Sequence, residues 1–240
     1  GVWRIPFFIG GFLSIFGIYF RYKMFETPEF IKNVKEGKVK KNTAKIDWKK
    51  DLNPIIATIL LSSLVGALAY MLSVYTNLYL QKFVGISSQN SLYVSTIGLL
   101  FYVIFCPMAG WISDKVGHIK IMFIGAIGIL LTIYPIFVLF QLISFISLVV
   151  LELIFVFFFC LYIAPSSAVM NTLFPVNIRY RAFATAYGIG VAIFGGSLPF
   201  ISSLLIEVTD NTMIPAYYLM CCTVLSFVGM KIISGRNIEQ

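Results

Sequence analysis

The chain has 240 residues, 59% of them hydrophobic and only 12% charged, with a mean hydropathy of +0.92. A water-soluble domain of that length cannot hide so much apolar surface, which excludes the soluble globular class. The net charge of +8 is gathered in one segment and a few loops. With no basic helix and no aromatic–basic interleaving, it speaks for membrane topology and against nucleic acid as a partner.

Seven apolar runs approach or exceed the ~20 residues that a helix needs to cross a bilayer. They lie near 5–20, 54–80, 92–109, 119–140, 145–168, 183–206 and 213–233. The first is short, but Pro6 can open a helix in its first turn, where no amide donor is needed. The second is long enough to tilt or to project beyond the membrane. Apolar helices of this length, rather than short alternating strands, predict an all-α helical bundle in the lipid bilayer and not a β-barrel. The chain opens on Gly1 and shows no signal-peptide leader, so an N-terminal part is expected to be missing.

Between the first two runs stand Arg21, Lys23, Lys32, Lys35, Lys38, Lys40, Lys41, Lys45, Lys49 and Lys50. Lys and Arg resist translocation, so this segment is expected on the cytoplasmic side. Seven spans then place 16 of the 18 basic residues inside, leaving only Arg4 and Lys82 outside.

The second run carries Ser62, Gly66, Tyr70, Ser73 and Asn77 at spacings of 4, 4, 3 and 4, which puts them on one helical face. Such a face either lines a water-filled cavity, with Tyr70, Ser73 and Asn77 as substrate-cavity candidates, or glues two helices together. Between the third and fourth runs, Gly110, Ser113, Asp114, Lys115, Gly117, His118 and Lys120 form a charged turn. Its glycines allow two helices nearly to touch, and Asp114 suits the positive end of the next helix. Glu152 is the one acidic residue well inside a span. An anion there costs several kcal/mol, so it should carry a proton or find a partner, as a proton-coupling group would. Ala184, Gly188, Ala192 and Gly196 make an i+4 ladder of small residues, read as a structural close-approach face. Pro107, Pro135, Pro165 and Pro199 break helical hydrogen bonding, for bending or for kinked packing alike.

Cys106, Cys160, Cys221 and Cys222 sit in apolar runs without metal or CxxC spacing and read as small buried hydrophobes. With a single His and no Ser–His–Asp set, HExxH or phosphate loop, neither an enzyme nor a cofactor or metal is expected. Voltage-sensor and filter-like patterns are lacking too.

The Gly110–Lys120 turn resembles the signature cytoplasmic loop of the major facilitator superfamily, a conformational latch between helices. Trp3–Phe8, Tyr19–Lys23 and Glu26–Phe30 resemble the sixth helix and following linker of its metabolite:proton symporters, of the proline/betaine type. Leu173–Pro175 with Arg179–Arg181, Gly195–Pro199 and Ile214–Leu219 resemble their tenth to twelfth helices. The sequence departs from that pattern at Thr172, Arg181–Ala182, Gly188 and His118–Ile119.

The resemblance implies the last helix of an N-terminal half (1–21), a basic cytoplasmic loop (22–53) and a six-helix C-terminal domain (54–240) built from two three-helix repeats. Arg179 and Arg181 would belong to a cytoplasmic loop, and the missing N-terminal half would be a partner. The implied activity is alternating-access transport of a small polar or zwitterionic solute with a proton, in a bacterial inner membrane. A dicarboxylate or sugar transporter, or a truncated inactive remnant, are the alternatives.

Overall fold

The computed structural model describes residues 4–23, 48–141, 144–176 and 178–234. Most of the basic segment, 24–47, lies outside the described residues, as do the Glu26–Phe30 motif and Arg236. The chain divides into two compact units, 1–45 and 46–240. In the first, α1 (Ile5–Lys23) is one apolar helix, and its Phe12 and Phe16 rings meet edge-on at 5.1 Å.

The second unit begins with α2 (Trp48–Tyr70), a π-helical segment (Met71–Tyr75) and α3 (Thr76–Lys82). It continues with α4 (Ser88–Val116), α5 (His118–Leu139), α6 (Phe145–Thr172) and α7 (Arg179–Gly190). A second π-helical segment (Val191–Gly195), α8 (Gly196–Thr209) and α9 (Ile214–Ser234) complete it. The helix runs on through each π segment, so these elements make six spans of 21 to 32 residues. Six of the seven expected spans are therefore long and apolar enough to cross a bilayer, and α1 is a shorter apolar helix. The helix of the first of the six starts at Trp48 and its span at Asp51, ahead of the boundary at 54 read from hydropathy alone. Its first turn is polar, and Asp51 there meets the positive end of the helix.

Packing follows a two-fold scheme across the two triplets of spans. The leading span of the first triplet, α2, packs on α7, the second π segment and α9 of the other. The leading span of the second, α6, packs on α4 and α5 of the first. Gly98 on α4 lies against Glu152 on α6, and Tyr102 stacks on Phe159 at 5.4 Å. Both sequences advance together, so α4 and α6 are parallel. Tyr162 ties three spans at the centre: its hydroxyl donates to the Leu61 carbonyl at 2.9 Å and lies 2.6 Å from the Ser226 hydroxyl.

Helix backbones touch where glycines allow it. A Cβ on Gly195 would stand 2.8 Å from the backbone of Gly66, and one on Gly125 would stand 2.6 Å from the Tyr162 nitrogen. This corrects the ladder expected from the sequence. Gly188 and Gly196 have open space at the Cβ position, and Ala184 and Ala192 are exposed. The face that packs is Ala182, Ala186, Gly190 and Gly195, whose last step of five residues is the extra residue of the π turn. Pro199 contributes to that turn, since it has no N–H for the Gly195 carbonyl four residues before it.

Candidate functional site: a buried carboxyl beside a π turn

Ionic side chains sort to the two ends of the bundle. At one end Lys82 of α3 pairs with Glu207 of α8, the Tyr79 hydroxyl donates to the Thr212 carbonyl at 3.0 Å, and Gln141 donates to the Thr212 hydroxyl at 2.7 Å. At the other end lie the α4–α5 turn, Arg179 and Arg181 at the start of α7, and Lys231 at the end of α9.

The α4–α5 turn is a single residue, Gly117, at φ +109. Around it Asp114 Oδ1 stands 3.9 Å from His118 Nδ1, and Ser113 Oγ stands 3.1 Å from the same nitrogen. The Lys115 ammonium lies 3.5 Å above the Trp111 ring. Arg179 Nε donates to the Phe174 carbonyl at 3.1 Å, closing the next turn at the same end. Only glycine adopts the Gly117 backbone without strain, worth about 1–3 kcal/mol in other residues. Gly117→Ala is therefore expected to lower stability by about that much in a thermal melt of the detergent-solubilised protein, with Gly188→Ala as the silent control.

Glu152 is buried, with 1% exposure, on the face of α6 that meets α4 and the first π segment. A Cβ on Gly98 would come within 2.9 Å of its Cγ and 3.4 Å of its Oε1, and the Leu72 side chain closes the same spot. Thr76, which follows the π segment, turns its hydroxyl toward this carboxyl while donating to the Met71 carbonyl at 3.0 Å. Glu152 Oε1 has no hydrogen-bond partner, and no cation pairs with it among the described residues.

The π turn also explains why the five-residue stripe does not form one face. Each π turn inserts an extra residue and rotates everything beyond it. Ser62 and Gly66 are buried against α7 and the second π segment, and Tyr70 packs its ring edge where a Gly195 Cβ would go. They are helix-contact residues, the second of the two readings left open by the sequence. Within the turn, Ser73 is exposed with its hydroxyl on the Ala69 carbonyl at 2.7 Å. Asn77 points to α4, where its Oδ1 accepts from Ser91 Oγ at 2.7 Å and from Gln81 Nε2 at 2.7 Å. Asn77 and Glu152 thus both meet α4, Asn77 at Ser91 and Glu152 at Gly98 two helical turns further on. Sequence reasoning missed Thr76, Ser91, Ser95 and Gly98. The signal for the last three was their spacing of 4 and 3 within α4, hidden among apolar neighbours.

Comparison with known proteins fits this architecture. The family model described as the Major Facilitator Superfamily matches residues 1–199. A Staphylococcus aureus (strain COL) protein, whose name assigns it provisionally to proline/betaine transport, is 30% identical over 94% of this chain and 49% of its own length. The citrate-proton symporter of Salmonella typhi is 30% identical over 98% of the chain and 54% of its own length. The proline/betaine transporter of Escherichia coli (strain K12) is 28% identical over 99% and 50%. The chain spans about half the length of the curated relatives it matches. With six apolar spans and the family model over most of its length, it is a multi-pass integral membrane protein and belongs to the major facilitator superfamily, whose members are transporters rather than enzymes.

Proposed function

We propose that this chain comprises the last helix of the N-terminal half, the central loop and the six-helix C-terminal half of a proton-coupled secondary transporter for a small zwitterionic solute of the proline or betaine kind. The observation that carries this reading is Glu152: a buried carboxyl with an unpartnered oxygen, lodged where a helix departs from regular α geometry. A carboxyl in that position can exchange one proton per cycle, and a π turn beside it offers an element that can change register when it does. The end bearing His118, Lys120, Arg179, Arg181 and Lys231 is read as cytoplasmic, because positive charge stays inside. The Lys82 end is then external. The α4–α5 turn serves as the latch between helices, with Gly110, Asp114, Lys115, Gly117 and His118 as its residues.

A zwitterion is favoured over citrate by the placing of charge. Among the described residues of the six spans, Lys, Arg and His stand at or near the span ends, so this half offers a trianion no interior countercharge. A zwitterion brings no net charge to balance, so polar groups and aromatic faces can meet its two charged ends.

The test is uptake of labelled proline, betaine and citrate into proteoliposomes in which both halves of the transporter are present, with an inward proton gradient. Proline or betaine uptake that collapses with the gradient supports the reading. Citrate uptake alone would replace the solute class, and no uptake from folded protein would leave an inactive remnant as the better account.

A further inference from the structure

We propose that Ser95 and Ser91 of α4, held by Asn77, form a proton relay that joins Glu152 to water at the Lys82 end of the bundle. This rests on the reading that Glu152 carries the coupled proton.

The placement of polar groups makes the case. Ser91, Ser95 and Gly98 share the buried face of α4, one helical turn apart, about 4.5–6 Å along the axis from each to the next. Gly98 is the point of contact with Glu152. Helical side chains lean toward their own N-terminus, so on the parallel α6 the Glu152 carboxyl is directed toward the level of Ser95. Ser95 is 7% exposed and its hydroxyl has no partner. Two buried oxygens, Ser95 Oγ and Glu152 Oε1, are therefore unpaired on facing helices, although buried polar atoms are nearly always satisfied. A water molecule between them would satisfy both.

One turn further out, Ser91 Oγ stands within hydrogen-bonding distance of two acceptors, Asn77 Oδ1 at 2.7 Å and the Ser88 carbonyl at 2.9 Å. A hydroxyl with two acceptors can redirect its proton without losing a bond. Asn77 is a positioning residue here: its oxygen accepts from Ser91 and from Gln81 at once, which fixes the hydroxyl on the path. Asn77 and Gln81 line an open cavity of about 470 Å³ with Val74, Leu78 and Lys82. Polar groups thus lead stepwise from a surface cavity to the carboxyl.

The transfer balances at each step. Hydronium in the outer cavity gives up a proton and is left as water. Each serine hydroxyl accepts a proton on a lone pair from the outer side and releases its own inward through bridging water, so each serine ends as it began and the carboxylate of Glu152 gains the proton. The carboxylates and cations of the surrounding spans stand near their ends. The titratable groups of the elements packed on α6 near this level are the phenols Tyr75, which faces Ser202 and Ser203, and Tyr102, which stacks on Phe159.

The experiment is infrared spectroscopy of the transporter reconstituted in liposomes, following the buried carboxyl band after transfer to D2O. The band is assigned by its loss in Glu152→Gln. The expected result is that Ser95→Ala slows its exchange at least about tenfold, in line with the weight of a positioned proton-transfer group. Ser95→Thr, which keeps the hydroxyl, should exchange near the native rate, and Ser113→Ala at the opposite end should not change it. Ser91→Ala should slow exchange as well, and decides the matter if Ser95→Ala does not fold. Equal exchange rates in the native protein and the serine-to-alanine variants would overturn the relay while leaving Glu152 protonated. A carboxyl band that survives Glu152→Gln unchanged would instead overturn the coupling role of Glu152, and the relay with it.

Discussion

Glu152→Gln will abolish proton-driven accumulation of the solute while leaving exchange of labelled for unlabelled solute within about threefold of native, because Gln copies the neutral acid in shape and cannot release a proton. The size of the effect follows from linkage. One pH unit across the membrane is worth about 1.4 kcal/mol per proton, so a one-to-one symporter can hold roughly a tenfold solute gradient. The variant should bring that ratio to about one. The native site suits this substitution: the Glu152 Cγ and carboxyl fit against Gly98 and Leu72 with no cation to lose. Measuring accumulation and exchange on the same vesicles separates coupling from folding, since a misfolded carrier loses both. Accumulation that persists in the variant would remove Glu152 from the coupling role.

Much of the fold was legible because a bilayer imposes a length and a sidedness. Six of the expected spans are long apolar helices, and Lys115, His118, Lys120, Arg179, Arg181 and Lys231 stand at one end of the second unit, while Lys82 and Glu207 meet at the other. Glu152 was legible too, as the lone acid in a long apolar run. What the sequence hid was the pair of π turns. Both readings based on a regular period failed across them: Ser62 and Gly66 do not share a face with Ser73 and Asn77, and the strict i+4 ladder of Ala184 to Gly196 lies away from the contact. An extra residue per turn leaves no compositional mark at Met71–Tyr75, where no proline stands. At Val191–Gly195 the mark was Pro199, four residues beyond. Polar groups on α4 were hidden for another reason: single serines in an apolar helix read as packing until a carboxyl is found opposite.

Gly195 tests how far the two irregular spans depend on one contact. Gly195 and Gly66 let the second π segment lie on α2 at backbone distance, and Gly190 does the same beside Ser62 and the Ile59 carbonyl. A side chain on Gly195 meets Gly66 main-chain atoms at 2.8 Å from its first carbon, and main chain inside two packed helices has nowhere to move. Gly195→Leu is therefore expected to cost about 3 kcal/mol or more, at the upper end of overpacking effects. It should appear as loss of monodisperse protein in heated detergent samples followed by size-exclusion chromatography. Gly196→Leu, one residue on with open space at the same position, should behave as native. That contrast distinguishes a contact between helices from a general dislike of bulk in the π turn. If both variants melt alike, the approach of α2 to the second π segment is not what holds these spans together. If only Gly195→Leu fails, the two triplets of helices are joined through the backbone contact of the second π segment with α2.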